Sequence, residues 1–75
     1  MIKIDAKAPE GNAFGIMATV GNVMRQLGKD KEERDAAMER MMSGDYANLC
    51  AVAKQATGGL VVVVNTDNEE DEDED

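Results

Sequence analysis

Seventy-five residues, a formal net charge of −8, no histidine and a single cysteine, Cys50, set narrow bounds on this protein. A chain of this length forms one domain at most and buries only about 60% of its unfolded surface, so its core is marginal. One thiol excludes disulfide staples and the lack of His excludes the usual Cys/His metal staples, which leaves economical packing or self-association as the supplement.

The charge is unevenly placed. Residues 67–75, DNEEDEDED, hold eight acids, whereas the body balances Lys and Arg against an equal number of Asp and Glu. A run of like charges with no apolar group to bury predicts a disordered acidic tail following one compact domain at 1–66. Two roles are open to it: keeping the chain soluble, or docking on a basic partner or mimicking nucleic acid through Glu69, Glu70, Asp71, Glu72 and Asp73. The start, MIKIDAKAPE, is charged where the apolar stretch of a signal peptide would run, and no apolar run is longer than LVVVV, far short of the roughly 20 residues of a membrane span. A cytoplasmic protein without membrane contact is expected.

In chain order, MIKID alternates Ile2 and Ile4 with Lys3 and Asp5, the pattern of a short strand with one buried face. Pro9 then breaks any ladder. From Ala13 the positions Ala13, Met17, Val20, Met24 and Leu27 are spaced four, three, four and three, a helical stripe with Asn12 as its N-cap and Gly28 as its stop. The stretch GNAFGIMATVGN matches neither phosphate-cradling glycine fingerprint. Gly15, Ala18 and Asn22 instead form a second stripe of small residues. Interior glycine costs a helix about 1 kcal/mol relative to alanine, so Gly15 and Gly21 predict close approach by another helix of the core, by a second copy, or by a ligand.

Asp30 and Glu33 have capping-box spacing and open a second helix whose apolar face is Ala37, Met38, Met41 and Met42; Gly44 ends it. Asp45 caps a third helix directly, giving a sharp corner, with Tyr46, Leu49, Cys50, Ala53 and Ala56 on one side and Gly58-Gly59 as the stop. Leu60, Val61, Val62, Val63 and Val64 form a β-branched run with no alternation, which predicts a strand buried on both faces. Because an isolated two-stranded sheet is marginal in water, that strand and Gly15 are the expected self-association residues of a homodimer. The expected fold is α+β, strand-helix-helix-helix-strand: strands 2–5 and 60–65 adjacent in a small sheet, covered by helices near 12–27, 31–43 and 45–57. Three reversing helices return the chain to its first direction, which permits parallel strands.

No catalytic constellation is apparent. General acid-base chemistry near neutral pH draws most often on His, and a nucleophile needs a base beside it. Cys50 has no His to pair with and falls on an apolar helix face, the setting of an inert thiol. The tail lacks the glycine turn and fixed spacing of a calcium loop, so neither metal nor cofactor is expected. Met38, Met41 and Met42 are either core filling or an adaptable binding surface. Arg25, Lys29, Lys31 and Arg34 are interleaved with Asp30, Glu32, Glu33 and Asp35, and one Phe and one Tyr give bases little to stack on, which argues against nucleic-acid binding.

In EGNAFGIMATVGNVMRQLG and MMSGDYANL the chain resembles small uncharacterised proteins of tailed bacteriophages and related mobile elements. The resemblance lies in a G-N-A-F-x-I/L-M opening (Gly11, Asn12, Ala13, Phe14, Ile16, Met17) and an S/T-G-D-Y-x-N-L segment (Ser43, Gly44, Asp45, Tyr46, Asn48, Leu49). It covers the central half of the chain, leaves out the acidic tail, and implies a viral source and a host-cytoplasm setting but no reaction. The expected function is a phage-encoded accessory protein that binds a host protein without catalysis. An oligomer that sequesters nucleotides or other small anions at the EGNAFG helix start is the alternative, and a structural virion component or purely structural dimer the third.

Overall fold

In the computed structural model, which describes residues 1–66, the elements follow the expected order; the expected disorder of 67–75 lies outside the described residues. They are β1 (Ile2–Asp5), a 3-10 turn (Pro9–Gly11), α1 (Ala13–Gln26), α2 (Lys31–Met42), α3 (Tyr46–Ala56) and β2 (Val61–Val64). The strands pair in parallel, with Ile2 opposite Val61 and Asp5 opposite Val64. The pairing is bracketed by Ile2 N–H donating to the Leu60 carbonyl at 2.6 Å and Ala6 N–H donating to the Val64 carbonyl at 2.9 Å.

Local chemistry sets the helix ends where the sequence places them. The Asn12 side chain accepts from Gly15 N–H, Asp30 and Glu33 complete a reciprocal capping box, and Asp45 accepts from Asn48 N–H. Each cap satisfies backbone donors that a helix start leaves orphaned. At the exit of α1, Gly28 takes the left-handed conformation, at φ +86°. The Lys29 N–H then reaches back to the Met24 carbonyl and closes the helix.

Helices α1 and α3 pack on one side of the sheet, and α2 packs on both of them. Their common core is Ile4, Ile16, Val20, Val23, Met24, Ala37, Met41, Leu49, Val52, Ala53, Val61 and Val63. This corrects three expectations. The buried line of α1 passes through Ile16, Val20, Val23 and Met24, while Leu27 is 47% exposed. Two overlapping three-four stripes are written on this helix, and the sheet is met by the one containing Ile16. The small-residue stripe faces outward at Ala18 and Asn22, both exposed. Last, β2 is not buried on both faces: Val61 and Val63 are buried, but Val62 and Val64 are only half-buried. Helices cover one face alone, and Lys3 and Asp5 stand beside those two valines on the other.

The glycines of α1 have distinct neighbours. A Cβ on Gly15 would lie 2.6 Å from the Glu10 carbonyl oxygen, so the close approach there is made by the chain's own 3-10 turn. A Cβ on Gly21 would lie 4.0 Å from Met38 Cε, an ordinary contact across the α1–α2 seam. The joint between α3 and β2 is Thr57, 1% exposed. Its hydroxyl donates to the Ala53 carbonyl at 2.7 Å and accepts from Val61 N–H at 3.1 Å, so one side chain ends the helix and starts the strand. At the far end of the sheet the Asp5 carboxylate accepts from Lys7 N–H and from the Asn65 amide. These bonds, the backbone one foremost, hold its pKa below the usual value.

Two predictions follow from this packing. Thr57→Val keeps the shape but leaves Val61 N–H unpaired in the core, and should destabilise the fold by about 1–3 kcal/mol in urea unfolding. Alanine at the two α1 glycines should act in opposite directions. Gly15→Ala meets fixed backbone and should lose about 1–3 kcal/mol, as overpacking does. Gly21→Ala meets only a flexible methionine tip and should gain up to about 1 kcal/mol from helix propensity.

Candidate functional site

The first turn of α1, the last turn of α2 and the first turn of α3 lie together at the end of the molecule where both strands finish. Between them is an open groove of about 340 Å³. Ala13, Phe14 and Met17 supply one wall, Met41 and Met42 the other, and Gly44, Asp45, Tyr46 and Leu49 close it at the α2–α3 corner. Met41 and Leu49, 1% and 4% exposed, form its floor, whereas Phe14 stands 80% exposed and Met42 63% exposed on its rim.

Helix geometry explains the exposed phenylalanine. Phe14, Met17 and Gly21 lie at i, i+3 and i+7, on one line along α1. Gly21 meets Met38 of α2 and Met17 is half-buried. The line outlasts its cover, because α2 ends at Met42 and turns into α3.

Tyr46 fixes the corner to the start of α1. Its hydroxyl donates to the Gly11 carbonyl at 2.6 Å, across 35 residues of sequence. Partial burial, and then the neighbouring Cys50 sulfur, raise the phenol above its ordinary pKa of 10.0. The two stretches that carry the sequence resemblance are thus adjacent in space: Gly11 bonds to Tyr46, while Ala13, Phe14 and Met17 share the groove with Gly44, Asp45, Tyr46 and Leu49.

Charge around the groove is one-sided. Asp45 is the one charged residue of the lining, and its carboxylate also caps α3. Glu39 lies one helical turn before Met42, and Glu10 immediately precedes Gly11. The α2 cations are engaged elsewhere: Lys31 with Asp35 at 2.7 Å, Arg34 with the Lys29 carbonyl at 2.9 Å, and Arg40 with Gln55. Lys7 lies beside Asp5 at the sheet end.

The site residues expected from sequence are dispersed. Of the three methionines, Met42 is open on the rim, Met41 is floor, and Met38 seals the α1–α2 seam. Glu69, Glu70, Asp71, Glu72 and Asp73 lie outside the described residues. Val61 and Val63 are covered by the chain's own helices; what this segment offers a second copy is Leu60, 40% exposed, the half-buried Val62 and Val64, and an edge that no other strand among the described residues pairs with. The space over Gly15 is filled by the Glu10 carbonyl, itself an acceptor, which leaves no room for an anion against bare helix backbone there. Among the described residues no three His, Cys, Asp or Glu side chains gather as a metal site, and no helix is long and apolar enough to cross a membrane. The groove itself was missed, although one signal for it was legible: Phe14, the sole phenylalanine, falls off the apolar stripe of its own helix.

Tyr46→Phe should loosen the corner by about 0.5–1.5 kcal/mol, the worth of one hydrogen bond. The raised phenol pKa stabilises the fold below the unfolded value near 10 and ceases to do so as pH rises through the folded value. Unfolding followed between pH 8 and 11 should therefore show a loss of stability on the alkaline side in the wild type that Tyr46→Phe reduces. Comparison with protein-family models, curated proteins and solved structures finds no match to this chain.

Proposed function

We propose that this is a small phage-encoded accessory protein that works by binding a protein of its bacterial host, without catalysis, and that the groove beside Phe14 is its contact surface. One observation carries this reading: the chain's sole phenylalanine stands 80% exposed on the rim of an apolar groove. Full burial of such a side chain is worth about 1.5–3 kcal/mol, a gain that a marginal domain forgoes at this position. Open methionine beside an aromatic anchor is the composition of surfaces that accept a partner's apolar side chains. The phage setting rests on the GNAFGIM and SGDYANL resemblance, whose residues meet at this groove.

Capture from bacterial lysate tests it with a paired bait. Phe14→Ser removes an exposed ring and should leave the unfolding midpoint unchanged. Wild type should retain a discrete protein that the variant fails to retain by mass spectrometry. Identical captured sets from the two baits would contradict the groove as the contact surface.

A further inference from the structure

We infer that the groove takes a short cationic amphipathic segment of its partner, with apolar side chains among Met17, Met42 and Leu49 and Lys or Arg facing Asp45. The inference rests on the binding role proposed above and adds the chemistry of what is bound. The groove supplies an apolar floor between three helix ends, the geometry that receives the apolar stripe of a partner helix. Its width is adjustable, because two of its walls are methionines, whose unbranched side chains repack around differently shaped anchors.

Charge decides the occupant. The lining carries one carboxylate, that of Asp45, and no cation, and the α2 cations are held by Asp35, by the Lys29 carbonyl and by Gln55. A second copy of this chain would bring the same carboxylate, Asp45, to the same place and no cation to meet it. An acidic segment meets the same obstacle. A basic segment is matched at the rim by the Asp45 carboxylate.

Fluorescently labelled peptides of about 12 residues, long enough for three helical turns, give the test: one Leu/Lys amphipath, its Leu/Glu counterpart and a Leu/Gln counterpart, each titrated against the full chain. The Leu/Lys peptide should bind most tightly, with an affinity that falls as salt is raised. Phe14→Ser and Met42→Ser should each weaken it about tenfold, as loss of an apolar anchor does. Asp45→Asn keeps the helix cap and should weaken the Leu/Lys peptide about two- to fivefold, the scale of a partly exposed ion pair, while leaving the Leu/Gln peptide unaffected. Equal affinity for all three peptides overturns the cationic assignment. So does Leu/Lys binding that ignores both groove substitutions, since that is attraction to acids elsewhere on the chain. Sedimentation of the chain alone supplies a third arm: a dimer that Phe14→Ser dissociates would make a second copy the occupant. If lysate capture depends on Phe14 while the peptides show no charge preference, the binding role stands and this inference falls; if capture ignores Phe14 as well, both fall.

Discussion

Everything in this fold depends on the parallel pairing of β1 with β2. Antiparallel strands can be joined by a two-residue turn, but parallel neighbours need a crossover that carries the chain back to the starting end. Here α1, α2 and α3 are that crossover, and among the described residues α1 and α3 pack on the sheet's buried face with α2 packed on both of them. An odd number of reversing helices is what restores the strand direction. Thr57 completes the return, since its buried hydroxyl holds the end of α3 and the first amide of β2 at one point. The same odd count brings the start of α1, the end of α2 and the start of α3 to the end where the strands finish. The groove is therefore a product of topology: three helix ends meet there, and among the described residues no fourth element covers them.

Much of this was legible because its causes are local. Capping side chains at Asn12, Asp30 and Asp45 and the stops at Gly28 and Gly58 act within a few residues of themselves, so they read directly from sequence and set the helix bounds nearly correctly. Counting reversals permitted the parallel direction, which the register of the two strands then shows. What did not read were choices made at a distance. The sequence of α1 offers two apolar stripes, and only the position of the sheet selects Ile16 and Val23 over Leu27. The four valines of β2 are chemically alike, and only the side on which the helices fall makes Val61 and Val63 core while Val62 and Val64 remain half-buried. Gly15 signalled a close approach correctly but could not name its partner, the carbonyl of Glu10 only five residues earlier.

The groove was illegible for a related reason. Its walls come from residues 13–17, 41–42 and 44–49, each segment apolar enough to be taken for core. Met41 and Leu49 are core. Phe14 and Met42 are not, because helix α2 is too short to cover the line that Phe14 begins. Stability and accessibility are thus divided along single helix faces: buried atoms hold the domain together, and their neighbours one turn away stay exposed. In a chain this small the last turn of packing is simply left open, and the proposed contact surface needs no separate element.

The six methionines give a direct reading of which surface binds. Met17, Met41 and Met42 line the groove, while Met24 lines the opposite cleft beside Lys29, Met38 sits in the α1–α2 seam and Met1 lies at the start of β1. Methyl NMR of carbon-13-labelled methionines during titration with a cationic amphipathic peptide compares these sites within one sample. Binding in the groove predicts saturable shifts at Met17, Met41 and Met42 with Met1 and Met24 unmoved. Shifts confined to Met1 and Met24, with the three groove methyls unchanged at saturation, would contradict it.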